Sequence, residues 1–237
     1  MRHSQTMRIG SILDLSLVDV PKIPVSVIFM AGCNFDCPYC QNAELLPLDS
    51  GEEMTVQEIL SSTEGNLVDG FCITGGEPTI QKELVGLLKA LKEGPGGHIN
   101  LNTQGSVPWI LEQCLPYLDS VWLDVKNPPH AYRRITRTQR DWWPKVAESI
   151  TTVLDSDVEL WPRTTYASGL MTPRDLIGIA EALEALGYSG EYMVQNYVAS
   201  AGVRESEAES LGEPDLEDLS SIEDKIPDCI DLEYQWR

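Results

Sequence analysis

Basic residues are scarce in this sequence, in which 17 Lys and Arg stand against 37 Asp and Glu and give a formal net charge of −20 at pH 7. Proteins that bind nucleic acids need a basic surface, so the composition argues against a nucleic-acid partner. Much of the excess acid lies in residues 203–237. Solubility through self-repulsion, or a salt-tolerant cytosol, accounts for such a charge.

Long hydrophobic runs are also absent. The most apolar stretch, VSVIFMAGC from Val25, falls far short of the roughly 20 residues that a membrane-spanning helix needs. The N-terminal segment MRHSQTMRIGSILDLSLVD lacks the continuous apolar core and the small-residue cleavage site of a secretory signal. These absences predict a cytoplasmic protein without membrane association. In a reducing cytosol, clustered cysteines act as metal ligands more often than they form disulfides.

Short β-branched and apolar runs alternate with helical patterns along the chain. Six predicted strands begin at Val25, Gly70, His98, Ser120, Val158 and Glu191. One predicted helix follows Thr55, which forms a capping box with Glu58. Another is QKELVGLLKALKE from Gln81, and a third follows Thr172 and Pro173, which suit the N-cap and N1 positions. This alternation predicts parallel βα units.

Six βα units are fewer than the eight of a complete barrel. We therefore predict an α/β fold, a partial (β/α)6 TIM-like barrel of parallel strands. The chain is predicted to be a single domain, residues 1–237, with its core at about residues 20–200. Residues 203–237 would append an acidic helix, DLEDLSSIEDKI, and a last strand, CIDLEYQW. Ligand sites in such folds gather at the C-terminal ends of the strands, so distinctive residues should follow the strands directly.

Half of the six cysteines follow the first predicted strand, with the spacing C-x3-C-x2-C. They are Cys33, Cys37 and Cys40. So short a spacing curls the chain, and converging thiolates favour a soft metal centre, either zinc or iron–sulfur. Structural zinc commonly has four protein ligands, whereas three ligands on a four-iron cluster leave one iron open. The other cysteines stand alone, and Cys72 and Cys114 are predicted to be buried as small hydrophobic side chains.

The second predicted strand ends in ITGGEPT, from Ile73. Paired glycines let backbone groups approach a ligand closely, and the carboxylate of Glu77 is able to hold an ammonium group. A Gly-Gly pair after a strand is also common in plain turns. Here it lies one βα unit after a three-cysteine loop, which strengthens its interpretation as part of a ligand site.

The cysteine loop, with Tyr39 before its last cysteine, and the TGGEP block resemble the radical S-adenosylmethionine superfamily. The segment LVDVPKIPVSVIFMAGCNFDCPYCQNAEL is similar to the start of activating enzymes for glycyl-radical proteins, and most of all to anaerobic ribonucleoside-triphosphate reductase activating proteins. The blocks LNTQG, WLDVK, RTTYASGL and YMVQNY fall where that group carries similar blocks. The resemblance therefore covers almost the whole chain.

The resemblance implies a cofactor site. Cys33, Cys37 and Cys40 would hold a 4Fe–4S cluster whose fourth iron binds the amino and carboxylate groups of S-adenosylmethionine. The implied cofactor-binding residues are Tyr39 at the adenine; Gly75, Gly76 and Glu77 at the methionine amino group; Asp124 and Lys126 on the ribose and carboxylate side; Arg163 at the carboxylate; and Gln195, which would close the pocket. Arginine suits a bidentate carboxylate contact.

One block departs from the related pyruvate formate-lyase activating enzymes. These usually carry Asp-Thr at the LNTQG block, where the aspartate helps to bind a monovalent cation. This chain has Asn102 followed by Thr103. A neutral amide can still donate a carbonyl oxygen but lacks the charge, so the sequence leaves a potassium or sodium requirement open, with Asp124 as the remaining ligand.

The resemblance also implies the reaction and its partners. S-adenosylmethionine would be cleaved reductively to methionine and a 5′-deoxyadenosyl radical, which takes a hydrogen atom from a backbone glycine of a partner glycyl-radical enzyme. A low-potential donor such as flavodoxin or ferredoxin would supply the electron. The chain has only three histidines, which suits chemistry without a general base. The alternatives are a radical enzyme that acts on a small molecule or another peptide and, more remotely, a zinc-binding interaction module.

Residues 126–145 are basic, in contrast to the rest of the chain, and include Trp142 and Trp143. The segment is either an ordinary solvated loop and helix or a patch with arginine and aromatic anchors for a partner protein. We hypothesise that it lies beside the side opening of the partial barrel.

Overall fold

The computed structural model describes residues 6–212 and 219–235. Its strands are β1 (Thr6–Ser16), β2 (Val25–Met30), β3 (Glu52–Thr55), β4 (Gly70–Gly75), β5 (His98–Thr103), β6 (Ser120–Asp124), β7 (Glu159–Tyr166), β8 (Gly190–Asn196) and β9 (Ile230–Gln235). Its α-helices are α1 (Val56–Thr63), α2 (Leu84–Glu93), α3 (Pro108–Cys114), α4 (Tyr132–Thr136), α5 (Trp143–Leu154), α6 (Pro173–Ala185) and α7 (Glu205–Ala208). Within the described residues, nine strands form one sheet in the order β3-β1-β2-β4-β5-β6-β7-β8-β9.

The parallel part of this sheet confirms the predicted βα pattern. The six predicted strands are β2 and β4 to β8, which lie side by side and run in the same direction. Val25 of β2 lies opposite Gly70 of β4, which in turn lies opposite His98 of β5. Because the strands are parallel, their C-terminal ends meet at one edge of the sheet, where ligand sites form in such folds.

Two antiparallel strands, β1 and β3, were not predicted from the sequence. β1 pairs with β2 on one side and with β3 on the other. Met7 and Ile9 are buried, but Leu13 and Leu15 farther along β1 are 46% and 49% exposed. The pairing with β2 also shifts register after Ile9. A bulge of this kind interrupts the alternation of apolar and polar residues from which strands are predicted.

Both faces of the parallel sheet are buried. On β2, Val25 and Val27 pack with Cys72 of β4 on one face, whereas Ile28 and Met30 join the main core on the other. Strands that are buried on both faces have continuous apolar sequences, which explains the run VSVIFM. The complete burial of Cys72 confirms the prediction for that residue.

The helices begin where their capping residues predict. The Thr55 N–H donates to Glu58 Oε2 at 2.8 Å, and the Glu58 N–H donates to Thr55 Oγ1 at 3.2 Å. Thr172 forms the same capping box at the start of α6. Helix α2 buries Leu84, Leu87, Leu88 and Leu91, and each such leucine contributes roughly 1.5–3 kcal/mol relative to exposure. Cys114 of α3 is buried as predicted. No helix of the described chain is long and apolar enough to cross a membrane.

The C-terminal region is partly described. The predicted last strand is confirmed as β9, which pairs in parallel with β8. The predicted helix DLEDLSSIEDKI spans residues 215–226, and its first part lies outside the described residues. In the described part, Glu223–Lys225 form a short 3-10 helix.

Candidate active site

A cavity of about 340 Å³ opens at the C-terminal ends of the parallel strands. This volume lies within the range of small-molecule and cofactor sites. All the predicted metal- and cofactor-binding residues line it: Cys33, Cys37, Tyr39, Cys40, Gly75, Gly76, Glu77, Asn102, Thr103, Asp124, Lys126, Arg163 and Gln195. The structure therefore brings these residues together at one site, and the role of each stays a prediction.

The cysteine loop, residues 31–42, leaves β2 and is fixed to the chain that follows it. The Gly32 N–H donates to the Leu45 carbonyl at 2.7 Å, and the Cys33 N–H donates to the Leu46 carbonyl at 3.0 Å. Within the loop, the Phe35 N–H donates to Cys33 Sγ at 3.4 Å. Backbone hydrogen bonds thus fix the start of the loop at Gly32 and Cys33.

Burial controls the protonation of the thiols. It raises the pKa of Cys33 and of Cys37 to about 12, and it raises the pKa of Cys40 as well. The Lys126 ammonium opposes this increase at all three thiols, because a nearby positive charge favours the thiolate. The thiols are therefore protonated at neutral pH, and a metal that binds to them must displace the protons.

The cavity fits the cofactors that the resemblance implies. Its three thiols are soft donors, which suit iron–sulfur clusters. The Tyr39 hydroxyl and Gln104 Oε1 on the cavity wall are buried without a hydrogen-bond partner in the described chain. Such atoms mark a place for polar ligand groups.

The paired glycines are required because the end of β4 lies very close to the start of the cysteine loop. The Gly76 N–H donates to the Met30 carbonyl and the Glu77 N–H to the Gly32 carbonyl, both at 2.8 Å. Gly75 has φ +115°, and a Cβ on Gly76 would lie 2.1 Å from the Gly32 oxygen. The sequence predicts that these glycines admit a ligand. The structure shows in addition that they let β4 close against the start of the cysteine loop.

Glu77 connects two strand ends. Its buried carboxylate accepts hydrogen bonds from the Thr79 N–H at 3.0 Å, the Thr103 hydroxyl at 2.6 Å and the Gln104 N–H at 2.9 Å, and also from the Thr79 hydroxyl. Burial raises the pKa of Glu77 although these hydrogen bonds oppose the increase. Most of its acceptor capacity is therefore used within the protein.

Asp124 sits between two cations at the ends of β6 and β7. Arg163 Nε donates to Asp124 Oδ1 at 2.8 Å, and Lys126 Nζ donates to Oδ2 at 3.0 Å. Burial alone would raise the pKa of Asp124, but the two cations outweigh it and lower the pKa to about 2. Asp124 raises the pKa of Lys126 and of Arg163 in return. All three groups are therefore charged at neutral pH.

The side chain of Asn102 is already engaged. Its Oδ1 accepts from Asn100 Nδ2 at 2.7 Å, and its Nδ2 donates to Thr74 Oγ1 at 3.2 Å. The carbonyl oxygen that a monovalent cation would use thus has a donor within the sheet. The other predicted cation ligand, Asp124, is paired with two cations. Neither arrangement favours a cation at this position.

Some cavity residues were not predicted from the sequence. Thr74 and Gln104 lie inside the quoted blocks ITGGEPT and LNTQG, so their position at a strand end was the available signal. Thr165 follows Arg163 by two residues on β7 and shares its face, as alternate strand residues do. Asp19 also lines the cavity. It precedes β2, and only the tertiary fold brings it to the site.

The basic segment 126–145 includes α4 and the start of α5, and its tryptophans are half-buried. The ring of Trp142 packs 5.7 Å from Phe35 of the cysteine loop, and the ring of Trp143 packs 5.8 Å from Tyr132, measured between centroids. The aromatic side chains proposed as anchors for a partner thus pack within the chain.

The fold and the cysteine loop agree with a known enzyme class. Residues 27–186 match the profile of the Radical SAM superfamily. This match covers more than half of the chain, and the chain therefore belongs to that superfamily. Its members are enzymes that use a 4Fe–4S cluster and S-adenosylmethionine.

Two curated relatives are similar over most of their length. A protein of Methanocaldococcus jannaschii, whose name describes it as a glycyl-radical enzyme activating enzyme, is 31% identical over 182 residues, which are 74% of this chain and 75% of the relative. The pyruvate formate-lyase-activating enzyme of Clostridium pasteurianum is 30% identical over 178 residues, which are 72% of this chain and 73% of the relative. The similarity therefore extends well beyond the cysteine loop.

A solved structure supports the architecture. The S-adenosylmethionine-bound structure of SuiB from Streptococcus suis matches with a TM-score of 0.62 at 16% identity, and the match covers 86% of this chain. It covers 48% of SuiB, so the chain spans about half the length of that protein. At this identity the likeness shows the fold alone, and it is consistent with the predicted partial barrel.

Proposed function

We propose that this chain is an activating enzyme for a glycyl-radical enzyme, which converts a backbone glycine of a partner protein into a Cα radical. The observation that carries this proposal is the similarity to two activating enzymes, each aligned over nearly three quarters of both chains. Anaerobic ribonucleotide reductase is the proposed partner, since the sequence blocks described above resemble those of its activating proteins. The protein would work in the cytoplasm.

The metal-binding part of this proposal rests on Cys33, Cys37 and Cys40. They would hold the cluster, and Lys126 would offset its negative charge, since it is the cation that favours the thiolate form of all three. When bound at these residues, the cluster and S-adenosylmethionine would supply the radical chemistry that hydrogen abstraction from glycine requires. The chain itself would orient these groups and exclude water from them.

Arg163 is suited to a ligand carboxylate. Its Nε is held by Asp124, while its two terminal nitrogens donate to no other group in the described chain. The guanidinium is thus fixed in orientation and keeps its outer nitrogens for a bidentate contact. On the adjacent strand β8, Gln195 Nε2 donates to Thr165 Oγ1 at 2.6 Å, and this contact would position Gln195 at the edge of the pocket.

The amino and adenine sides of the cofactor are assigned to the remaining residues. Tyr39 would lie at the adenine, and the backbone of Gly75 and Gly76 at the methionine amino group. Because Glu77 Oε1 has three donors and Oε2 has one, Oε2 is the atom with acceptor capacity left for an ammonium group. Thr103 would act mainly by holding Glu77 in place.

The test is an anaerobic reconstitution followed by electron paramagnetic resonance. The protein should bind about four irons per chain. With a reductant, S-adenosylmethionine and anaerobic ribonucleotide reductase, it should produce a glycyl doublet on the reductase. Replacing any cysteine of the loop with alanine should abolish both iron binding and the doublet. Cys72→Ala is the matched control, because Cys72 is buried and does not line the cavity.

Two outcomes would contradict the proposal. Cleavage of S-adenosylmethionine without a radical on the reductase, or on another glycyl-radical protein, would favour a small-molecule or peptide substrate instead. A protein that binds one zinc and no iron would be an interaction module rather than a radical enzyme.

A further inference from the structure

The densest positive charge of this acidic chain lies beside the cysteine loop. Residues 126–145 contain six of the 17 Lys and Arg residues but a single acid, Asp141. Four arginines of this segment are exposed. We refer to them as the basic patch: Arg133, Arg134, Arg137 and Arg140.

The basic patch is built on α4 and the turn after it, which contact the cysteine loop directly. The Asp36 N–H donates to the Thr136 carbonyl at 3.0 Å. The ring of Phe35 packs 6.4 Å from Tyr132 and 5.7 Å from Trp142. Phe35 is among the residues that line the cavity, and the four arginines are not. The cysteine loop therefore lies between the patch and the cavity.

Half of the patch is neutralised within the protein. Arg137 forms two hydrogen bonds to Glu207, and Arg134 pairs with Asp175 at 2.9 Å. Within the described residues, Arg133 and Arg140 have no acidic partner, and the Arg140 guanidinium stacks 4.3 Å from the centre of the Trp142 ring. Two exposed positive charges are thus left for an outside molecule.

We propose that the basic patch docks an acidic protein that carries single electrons at low potential. The inference rests on the iron–sulfur cluster of the proposed function. For each S-adenosylmethionine cleaved, the carrier is oxidised by one electron and the cluster is reduced by one. The three cysteines outside the loop, Cys72, Cys114 and Cys229, lie apart from one another along the chain, so no second cluster motif supplies the electron from within.

Charge complementarity decides between partners. A chain of net charge −20 repels an acidic carrier over most of its surface, so a local positive patch directs the carrier to one face. That face contacts the cysteine loop, and none of its arginines lines the cavity, so a carrier docked there would stand beside the thiols without entering the cavity.

The test uses the cluster-loaded protein and a double charge reversal, Arg133→Glu with Arg140→Glu. The matched control is Lys82→Glu with Lys89→Glu, which changes the net charge equally at two exposed lysines at or near α2. The probe is a reduced acidic ferredoxin, and dithionite serves as a small-molecule reductant. Calorimetry gives the affinity for ferredoxin, and stopped-flow absorbance gives the rate of cluster reduction by each reductant.

We expect the patch variant to bind ferredoxin at least tenfold more weakly at low ionic strength and to be reduced by ferredoxin at least tenfold more slowly. Reduction by dithionite should stay within twofold of wild type, and the lysine control should stay within threefold in both measurements. High salt should shrink the difference between wild type and the patch variant, because exposed charges are screened. Equal melting temperatures would show that the variant folds normally.

Three results would overturn the inference: unchanged affinity for ferredoxin, an equal loss in the lysine control, or an equal loss with dithionite. Loss of the glycyl radical with both reductants, at normal cluster reduction, would instead assign the patch to the substrate protein. The measurements of ferredoxin affinity and cluster reduction need no glycyl-radical partner. If the patch effect holds and no glycyl doublet forms, the proposed function fails while the docking site stands. If the reconstituted protein bound no iron, both the proposed function and the docking site would be refuted.

Discussion

The ion pairs of Asp124 make a quantitative prediction possible. Its carboxylate binds Arg163 Nε at 2.8 Å and Lys126 Nζ at 3.0 Å, and the three side chains are only 20%, 15% and 14% exposed. The two cations outweigh burial and lower the pKa of Asp124 from 3.8 to about 2. Because one pKa unit corresponds to about 1.4 kcal/mol, ionised Asp124 contributes about 2.5 kcal/mol to the free energy of unfolding at neutral pH.

We predict that Asp124→Asn lowers the free energy of unfolding at pH 7 by about 2.5 kcal/mol or more, since the amide leaves two buried cations without their anion. The folded-state pKa is depressed, so the contribution is fully present well above pH 3.8 and is lost as the pH falls toward 2. The difference between wild type and variant should therefore shrink to about half at pH 3. Urea unfolding of the reduced, metal-free chain, followed by circular dichroism at both pH values, measures it.

Asp119→Asn is the control for this experiment. Asp119 accepts hydrogen bonds from Lys92 at 2.7 Å and from the Ile99 N–H at 2.8 Å, and it does not line the cavity. We expect a smaller loss of stability there and unchanged binding of S-adenosylmethionine by the loaded enzyme. Equal stability of wild type and Asp124→Asn at pH 7, or a difference that is the same at pH 3, would refute the reasoning.

Three further predictions concern the cavity and its loop. Gly76→Ala should lower the melting temperature by several degrees, because its Cβ would lie 2.1 Å from the Gly32 oxygen. Wild type should cleave S-adenosylmethionine equally well in potassium and in tetramethylammonium buffers, whereas Asn102→Asp should gain a potassium dependence, because a carboxylate adds the charge that a cation needs. Arg204→Met should speed the loss of iron to a chelator several-fold, because Arg204 pairs with Asp36 and donates to the Cys37 carbonyl at 3.4 Å.

Each of these has a control and an outcome that contradicts it. Gly86→Ala should be neutral or stabilising, since the nearest atom to its added Cβ is 3.8 Å away on a flexible side chain; similar melting temperatures for both glycine variants would dismiss the close-contact argument. A potassium requirement in wild type would contradict the argument that the oxygens of Asn102 and Asp124 are already engaged within the protein. Arg204→Lys should lose iron at an intermediate rate. If Arg204→Met lost iron as slowly as wild type, Arg204 would not stabilise the cysteine loop.

Most of the parallel sheet could be predicted because its strands carry local signals. VSVIFM and GFCIT are apolar over their whole length, as strands buried on both faces must be, and Thr55 and Thr172 mark helix starts through contacts only three residues long. β1 escaped prediction because its bulge and its exposed leucines break the alternation. Its assignment to the sheet depends on hydrogen bonds to β2 and β3, which are not visible in a local pattern.

By itself, the sequence determined the chemistry of this protein: three thiols within one short loop, a glycine pair and a carboxylate after the next strand, and charged residues at the later strand ends. These features can be read locally, because they depend on spacing along the chain and on the rule that parallel strands end at one edge of the sheet. Only the tertiary structure decided how the groups are used, because the partners lie far apart in sequence. Arg163 meets Asp124 across 39 residues, and Arg204 meets the cysteine loop across 168. The same packing buries Glu77 among its donors and sets the basic patch beside the cysteine loop, since burial and pairing are properties of the folded chain.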